Sequence, residues 1–318
     1  MNEMNRRQFC RTTAAGAAGL TLAGAGWAAA AKPVQPRRPV TVFTKCLQFL
    51  EFDKLGEVLA EVGFDGADLA VRPGGQVSPE NVETELPRAF NALKKAGVSI
   101  PMMVTSIDNA DDPVAERILK SASKLGITHY RMGWIAYDEK KPITENLENF
   151  KVTFAKLEKL NRKYHIRGEY QNHAGRRLGG PVWDLHPLLQ SLDPEFIGVQ
   201  YDVRHATVEG GNSWLLGMRL VAPWIGTTDI KDFIWEKDAR GAWRARTVPL
   251  GEGMVDWKTY FTEYQKLNVA APVSIHYEYD LGGAESGSKT PKMPLPEIKK
   301  WLKKDLMFLK TQFNQYQL

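Results

Sequence analysis

The sequence predicts an α/β protein, a single (β/α)8 barrel of TIM-barrel architecture behind an N-terminal export signal. From Pro33 onward, short apolar runs of β character alternate with amphipathic stretches that have helical spacing. Eight such runs occur, and they start roughly 30 residues apart, the period of a barrel of about 250 residues divided into eight strand-plus-helix units. Regular alternation favours parallel strands covered by helices, and eight units favour closure into a barrel over an open sheet.

The strands and helices can be assigned in order. The predicted strands are VTVFTKCLQF from Val40, DGADLAV from Asp65, SIPMMVTS from Ser99, THYRMGW from Thr128, IRGEYQNH from Ile166, IGVQYDV from Ile197, IGTTDIKD from Ile225 and PVSIHYEYD from Pro272. The segments between them keep Leu, Val and Ala on one face, and several end in Gly, a common residue after a helix C-terminus. Because no shift in composition marks a second domain, we expect one domain over residues 33–318.

Residues 1–31 have the pattern of a signal peptide. Basic residues precede an uncharged Ala/Gly/Leu stretch, and small residues that suit cleavage follow it. The Arg6-Arg7 pair within NRRQFCR resembles the twin-arginine export signal. That resemblance implies the twin-arginine export machinery as a partner and a periplasmic or otherwise exported mature protein. An uncleaved membrane anchor is the alternative, although Trp27 and the glycines keep the stretch only mildly apolar.

Charge and cysteine content narrow the function classes. The chain carries 42 Lys and Arg against 37 Asp and Glu, a formal charge of +5. Removal of residues 1–31 takes away three arginines and one glutamate, which leaves +3. No Lys/Arg cluster is interleaved with aromatic residues, so nucleic-acid binding through a basic patch is not expected. Only Cys46 would remain after cleavage, which excludes an internal disulfide.

Polar side chains end the predicted strands, where the carboxyl ends of barrel strands meet at one mouth. A period-two reading places there Glu169, Gln171 and His173 on the fifth strand, Asp202 on the sixth, Asp229 and Lys231 on the seventh, and His276 and Glu278 on the eighth. Carboxylates from four consecutive strands would repel one another and lose hydration, so they predict a bound cation. We expect one divalent metal ion. Oxygen ligands favour Mn²⁺ or Mg²⁺, and Co²⁺ or Zn²⁺ are the alternatives. For any single acid, the alternatives are a salt bridge to Arg131, Arg167 or Arg204, or a cap on the helix of the next unit.

The motifs FDGADL, EYQNH, YDVRH, DIKD, GEG and HYEYD occur in this order. Together they resemble the xylose isomerase-like barrel superfamily, the sugar phosphate isomerase/epimerase group, over nearly the whole mature chain. In that family a Glu, an Asp, a His and a Glu on the fifth to eighth strands bind one divalent ion. The resemblance implies that the metal ligands here are Glu169, Asp202, Asp229 and Glu278. Asp229 replaces the family His, so His276 stays open as an alternative nitrogen donor.

The resemblance also assigns substrate contacts. The Asp-x-x-His pattern at the sixth strand implies that His205 contacts substrate beside the metal ion. Further candidates at the mouth are Lys231, His276, Arg131, and Arg72 and Gln76 in the loop VRPGGQV. Aromatic residues near strand ends could stack on sugar faces, with core packing as the alternative. They are Trp134, Tyr137, Trp214, Trp235 and Tyr277.

The resemblance implies an isomerase or epimerase that acts on a sugar or keto-sugar through an enediolate. Glu169 and Glu278 are the expected proton-transfer pair. Export favours a neutral sugar or a 3-keto-glycoside, and β-elimination of the latter is a further outcome of the same intermediate. A sugar-binding barrel without catalysis is the alternative. A metal-dependent apurinic endonuclease would need more His ligands and a basic surface. The sequence leaves the oligomeric state open.

Overall fold

Eight parallel strands close into a barrel, in which they follow one another in chain order and the last strand pairs with the first. A computed structural model describes residues 38–318 of the protein. The predicted signal peptide, residues 1–31, lies outside the described residues. The barrel strands are β1 Val40–Phe43, β2 Gly66–Ala70, β3 Ser99–Val104, β4 His129–Arg131, β5 Arg167–Gln171, β6 Ile197–Asp202, β7 Ile225–Ile230 and β10 Val273–Ile275.

The helices cover the outside of the barrel. They are α1 Phe52–Val62, α2 Val82–Lys95, α3 Pro113–Lys124, α4 Ile143–Tyr164, α5 His186–Leu189, α6 Val203–Gly210, α7 Trp214–Val221, α8 Trp257–Lys266 and α9 Leu295–Tyr316. Local sequence explains their ends. The Asp112 carboxylate accepts a hydrogen bond from the Val114 amide at the start of α3, and α1 ends at Gly63, whose φ of 97° suits a residue without Cβ.

The fifth strand shows how alternation divides the inner and outer faces. Tyr170 points outward, where its ring lies 5.5 Å from that of Phe154 on α4. Glu169 and Gln171 therefore point into the barrel. Both are almost fully buried, with 1% of each residue exposed. A buried polar interior of this kind is expected where barrel strands carry a functional site.

An antiparallel hairpin follows β7 and was not predicted. It consists of β8 Asp232–Lys237 and β9 Trp243–Val248, paired from Asp232↔Val248 to Lys237↔Trp243. Asp232 anchors its base, since this carboxylate accepts hydrogen bonds from the amides of Gly251, Gly253 and Val255 and from the Trp257 indole. The hairpin thus starts one residue after Lys231, at the edge of the mouth.

Among the described residues, no helix combines the length and apolar character that crossing a bilayer requires.

Candidate active site

Lys231 is buried at the mouth between two carboxylates, with 1% of the residue exposed. Its ammonium nitrogen is 2.7 Å from Asp202 Oδ2 and 3.5 Å from Glu278 Oε2. It is also 3.0 Å from His205 Nε2. A buried ammonium at these distances neutralises carboxylates that would otherwise repel each other. We call Gln171, Asp202, Asp229, Lys231 and Glu278 the acid–lysine cluster.

Gln171 is the fifth-strand residue of this cluster. Its amide nitrogen donates hydrogen bonds to Asp202 Oδ2, at 3.0 Å, and to Asp229 Oδ2. Its carbonyl oxygen accepts from Arg131 Nη1 at 3.1 Å. The side chain therefore links the acids of β6 and β7 to the arginine of β4, as a donor toward the carboxylates.

Glu169 lies deeper in the barrel than the sequence predicted. Its Oε1 is 2.9 Å from Arg167 Nε, and its carboxylate packs against Gly198 and Gly226. Gly226 precedes Asp229 by three residues, which corresponds to about 10 Å along the strand. Burial raises the pKa of Glu169 to about 7, although Arg167 opposes the rise. We therefore replace Glu169 by Gln171 as the fifth-strand residue of the site, and withdraw it as a metal ligand and proton-transfer group.

Asp68 of β2, Asp229 of β7 and His276, directly after β10, form a second group beneath the mouth. His276 Nε2 lies 3.0 Å from Asp229 Oδ1 and 3.5 Å from Asp68 Oδ2, and all three side chains are buried. Asp68 Oδ1, Asp229 Oδ1 and the His276 ring nitrogens have no hydrogen-bond partner among the described residues. Burial raises the pKa of Asp68 and raises that of Asp229 to about 7. Sequence reasoning missed Asp68, whose only signal is a carboxylate inside a buried apolar strand.

The two groups differ in how well they fit a metal ion. In the predicted ligand set, Lys231 and Gln171 already direct N–H donors at Asp202, Asp229 and Glu278, so an ion there would lie against an ammonium group. That set does not fit. Asp68, Asp229 and His276 offer one ligand atom each within 4.8 Å of one another, and they are the one such group found among the described residues. Two carboxylate oxygens and an imidazole nitrogen suit several divalent metals, so the group fits a divalent ion without selecting one.

Glu278 is the most accessible carboxylate of the acid–lysine cluster, with 28% of its side chain exposed. Lys45 Nζ lies 3.5 Å from its Oε1, on the other side from Lys231. Burial alone would raise the pKa of Glu278, but Lys231 and Lys45 outweigh that effect and hold it well below its usual range. Glu278 is therefore ionised at neutral pH.

Two histidines line the same mouth. The ring of His205 lies 3.9 Å from that of His173. Burial lowers the pKa of His205 well below its usual value and that of His173 to about 3, so both rings are neutral at neutral pH. His173 Nδ1 is 2.8 Å from the Ala174 carbonyl oxygen, which can only accept. This contact assigns the proton to Nδ1 and leaves Nε2 of His173 as an acceptor.

The remaining predicted residues divide between the mouth and the core. Arg72 and Arg131 lie over the Phe43 ring, 5.0 and 5.8 Å from its centroid, and Phe43 contacts His276. Gln76 instead exchanges hydrogen bonds with Thr44. Of the aromatic candidates, Trp134 contacts His173 at 4.4 Å between ring centroids. Tyr137 binds Asp184, Tyr277 binds the Leu302 carbonyl, Trp214 packs on Tyr260, and Trp235 lies on the hairpin.

The sequence profile of the xylose isomerase-like TIM barrel family matches residues 57–312. The chain belongs to this family. Among solved structures of the same fold, L-ribulose 3-epimerase has a TM-score of 0.66 at 12% identity, covering 88% of this chain and 96% of the other. The 3-keto-D-glucoside 4-epimerase of E. coli gives 0.63 at 13%, covering 86% and 100%.

The probable 3-DHS dehydratase from Bacillus anthracis gives a TM-score of 0.60 at 17% identity, covering 86% of this chain and 98% of the other. At these identities the likeness shows the fold alone. A comparison with curated proteins found no match.

Proposed function

We propose that this protein is an isomerase or epimerase of a sugar or keto-sugar, which moves a proton at a carbon next to a carbonyl through an enediolate. One observation carries the proposal: an ionised, partly exposed carboxylate, Glu278, lies 3.5 Å from a buried ammonium, Lys231, at the mouth of the barrel. A base and a fixed positive charge side by side are what enediolate formation needs. The family, together with structural neighbours that are named as sugar epimerases, supports the same reaction type.

In the proposed mechanism, Glu278 accepts the proton from the substrate carbon. The oxygen of the adjacent carbonyl gains negative charge as the proton leaves, and the Lys231 ammonium stabilises that charge in a site shielded from water. Glu278, now protonated, returns the proton to a carbon of the enediolate, and His173 Nε2, a neutral acceptor, takes the proton of the neighbouring hydroxyl and passes it to the former carbonyl oxygen, in place of Glu169 as the second proton-transfer group. Glu278 and His173 follow strands that are three positions apart around the barrel, so they approach the mouth from different sides.

We extend the proposal to one divalent metal ion held by Asp68, Asp229 and His276. When bound, such an ion supplies positive charge beneath the mouth and strengthens the stabilisation of a developing oxyanion. The proposal keeps the export of the mature protein by the twin-arginine machinery, and hence a periplasmic substrate. Release of a β-substituent from a 3-keto-glycoside is a second outcome of the same enediolate. The naming of one structural neighbour as a 3-keto-D-glucoside 4-epimerase favours including that substrate class.

The test is solvent-deuterium exchange. The full chain, purified without chelator, is incubated in D₂O with ketoses and 3-keto-glycosides, and the products are analysed by NMR and mass spectrometry. We expect deuterium at a carbon next to the carbonyl, or a released aglycone. Tight binding of these sugars with no exchange and no release would instead identify a binding barrel without catalysis.

A further inference from the structure

A cavity with a volume of about 390 Å³ opens beside the acid–lysine cluster. Four arginines and a tryptophan line it, and the acidic side chain on its wall is exposed. These residues are Arg72, Arg131, Arg176, Arg177, Trp134 and Asp108. The volume is large enough for a substituent of a sugar, and the lining is strongly cationic. The reaction proposed above does not use this cavity.

Arg131 and Trp134 are built into its wall. The guanidinium carbons of Arg131 and Arg177 each lie 4.7 Å from the centroid of the Trp134 ring, which holds both groups by cation–π contact. Arg131 is 4% exposed, yet its Nε has no hydrogen-bond partner among the described residues, and neither has the buried Nε1 of Trp134. Buried donors without acceptors are costly to leave unpaired, so the wall is suited to a ligand that supplies acceptor oxygens.

Three of the four arginines of the cavity also have no direct ion pair among the described residues. In the part of the chain that the structure describes, no carboxylate lies within 4.0 Å of the guanidinium of Arg72, Arg131 or Arg177, whereas Lys45 and Lys231 both have ion pairs. Arg176 differs, because it is paired with Glu139 at 3.3 Å on the surface. Burial lowers the pKa of Arg131 to about 10, which leaves it protonated at neutral pH. Three fixed positive charges thus face the cavity without a direct counter-ion.

We propose that this cavity binds an anionic substituent of the substrate, a carboxylate or a phosphate ester, and that the substrate is therefore an acidic sugar derivative. Planar guanidinium groups recognise both anions through paired N–H donors. The cavity adjoins the reaction site through two contacts, the ring contact of Trp134 with His173 and the hydrogen bond from Arg131 to Gln171. The inference deepens the proposed function, since it names the substrate class for the same site, and it replaces the neutral sugar that export favoured with an acidic one.

Calorimetric titration of the full chain tests it, with D-glucuronate, D-glucose 6-phosphate and neutral D-glucose as probes. We expect at least one charged probe to bind about tenfold or more tightly than D-glucose, and to weaken as NaCl screens the attraction. Arg177→Gln should lower the affinity for the charged probe to about that for D-glucose. Arg88→Gln, a matched control on the outer surface of α2, should bind as wild type. Arg177→Lys should restore part of the preference, because it returns the charge without the planar fork.

Each outcome decides something. A preference for glucuronate alone identifies a carboxylate, and one for the phosphorylated sugar alone identifies a phosphate ester. Equal binding of all three probes, or an unchanged preference in Arg177→Gln, would overturn the inference. Because calorimetry needs no turnover, anion binding without deuterium exchange would leave this site standing and the proposed reaction refuted. Deuterium exchange on neutral ketoses without a preference for the charged probes would refute the anion site and leave the proposed reaction standing.

Discussion

Replacing Lys231 tests whether an ammonium group holds the carboxylates of the mouth together. In Lys231→Gln, Asp202 loses a partner at 2.7 Å while both positions are almost completely buried. Removing one member of a buried ion pair costs about 3–5 kcal/mol, because the other charge stays buried without its partner. Gln171 and the His205 amide still donate to Asp202, each at 3.0 Å, so we expect the lower end of that range.

The assay is thermal unfolding of the wild type, Lys231→Gln and the surface control Lys258→Gln. A loss of about 3 kcal/mol corresponds to a fall in Tm of about 5 °C in a protein of this size. We also expect Lys231→Gln to bind one more equivalent of Mn²⁺ than the wild type in elemental analysis, since the acids then lack their internal cation. A Tm within about 1 °C of wild type with no additional metal would refute the assignment of Lys231 as that cation.

Three further predictions concern Glu278, the metal group and a buried acid remote from the mouth. Glu278→Gln should retain the fold and lower the rate of deuterium exchange by about 10²–10⁴-fold, whereas Glu169→Gln should keep that rate. An equal loss of exchange in both variants would contradict the assignment of Glu278 as the proton acceptor. Asp68→Asn should abolish stoichiometric metal binding in elemental analysis, and retained metal would exclude the proposed ligands. Burial raises the pKa of Asp305 to about 7, so this carboxyl holds its proton more tightly in the folded protein than in the unfolded chain. The free energy of unfolding therefore falls as the pH rises from about 4 through 7. Asp305→Asn should therefore gain up to about 4 kcal/mol in urea unfolding at pH 8 and little at pH 4; a gain independent of pH would point to another cause.

The fold was largely predictable from sequence because barrel strands are short, apolar and regularly spaced. The first predicted strand starts at Val40 and the sixth at Ile197, as observed. The hairpin of β8 and β9 was missed, since it interrupts the regular strand–helix alternation. Its alternating residues around the Asp-Ala-Arg-Gly turn at 238–241 were a signal that could have been found.

The site was less predictable, because alternation assigns a residue to a face of a strand and not to a height in the barrel. Glu169 and Gln171 share one face, as predicted, but the stagger between strands decides which of them reaches the mouth. Gly198 and Gly226 on neighbouring strands leave the space in which the Glu169 carboxylate lies. This contact joins residues far apart in the chain, so no local sequence pattern predicts it. Lys231 illustrates the same limit, since its role depends on distances to three other elements.

The anchoring of the hairpin by Asp232 has a consequence for how this barrel could diversify. The chain leaves and returns through the paired residues Asp232 and Val248, and the turn at residues 238–242 lies at the far end of the ladder. Lengthening or exchanging that turn changes the outer rim of the mouth. The Asp232 carboxylate still anchors the base of the hairpin, so Lys231, one residue upstream, keeps its position. Evolution or protein design can therefore change the residues that surround the mouth without changing the acid–lysine cluster within it. In random insertion libraries, we expect the turn at residues 238–242 to tolerate inserted segments better than the strand ends that carry Asp202 and Asp229.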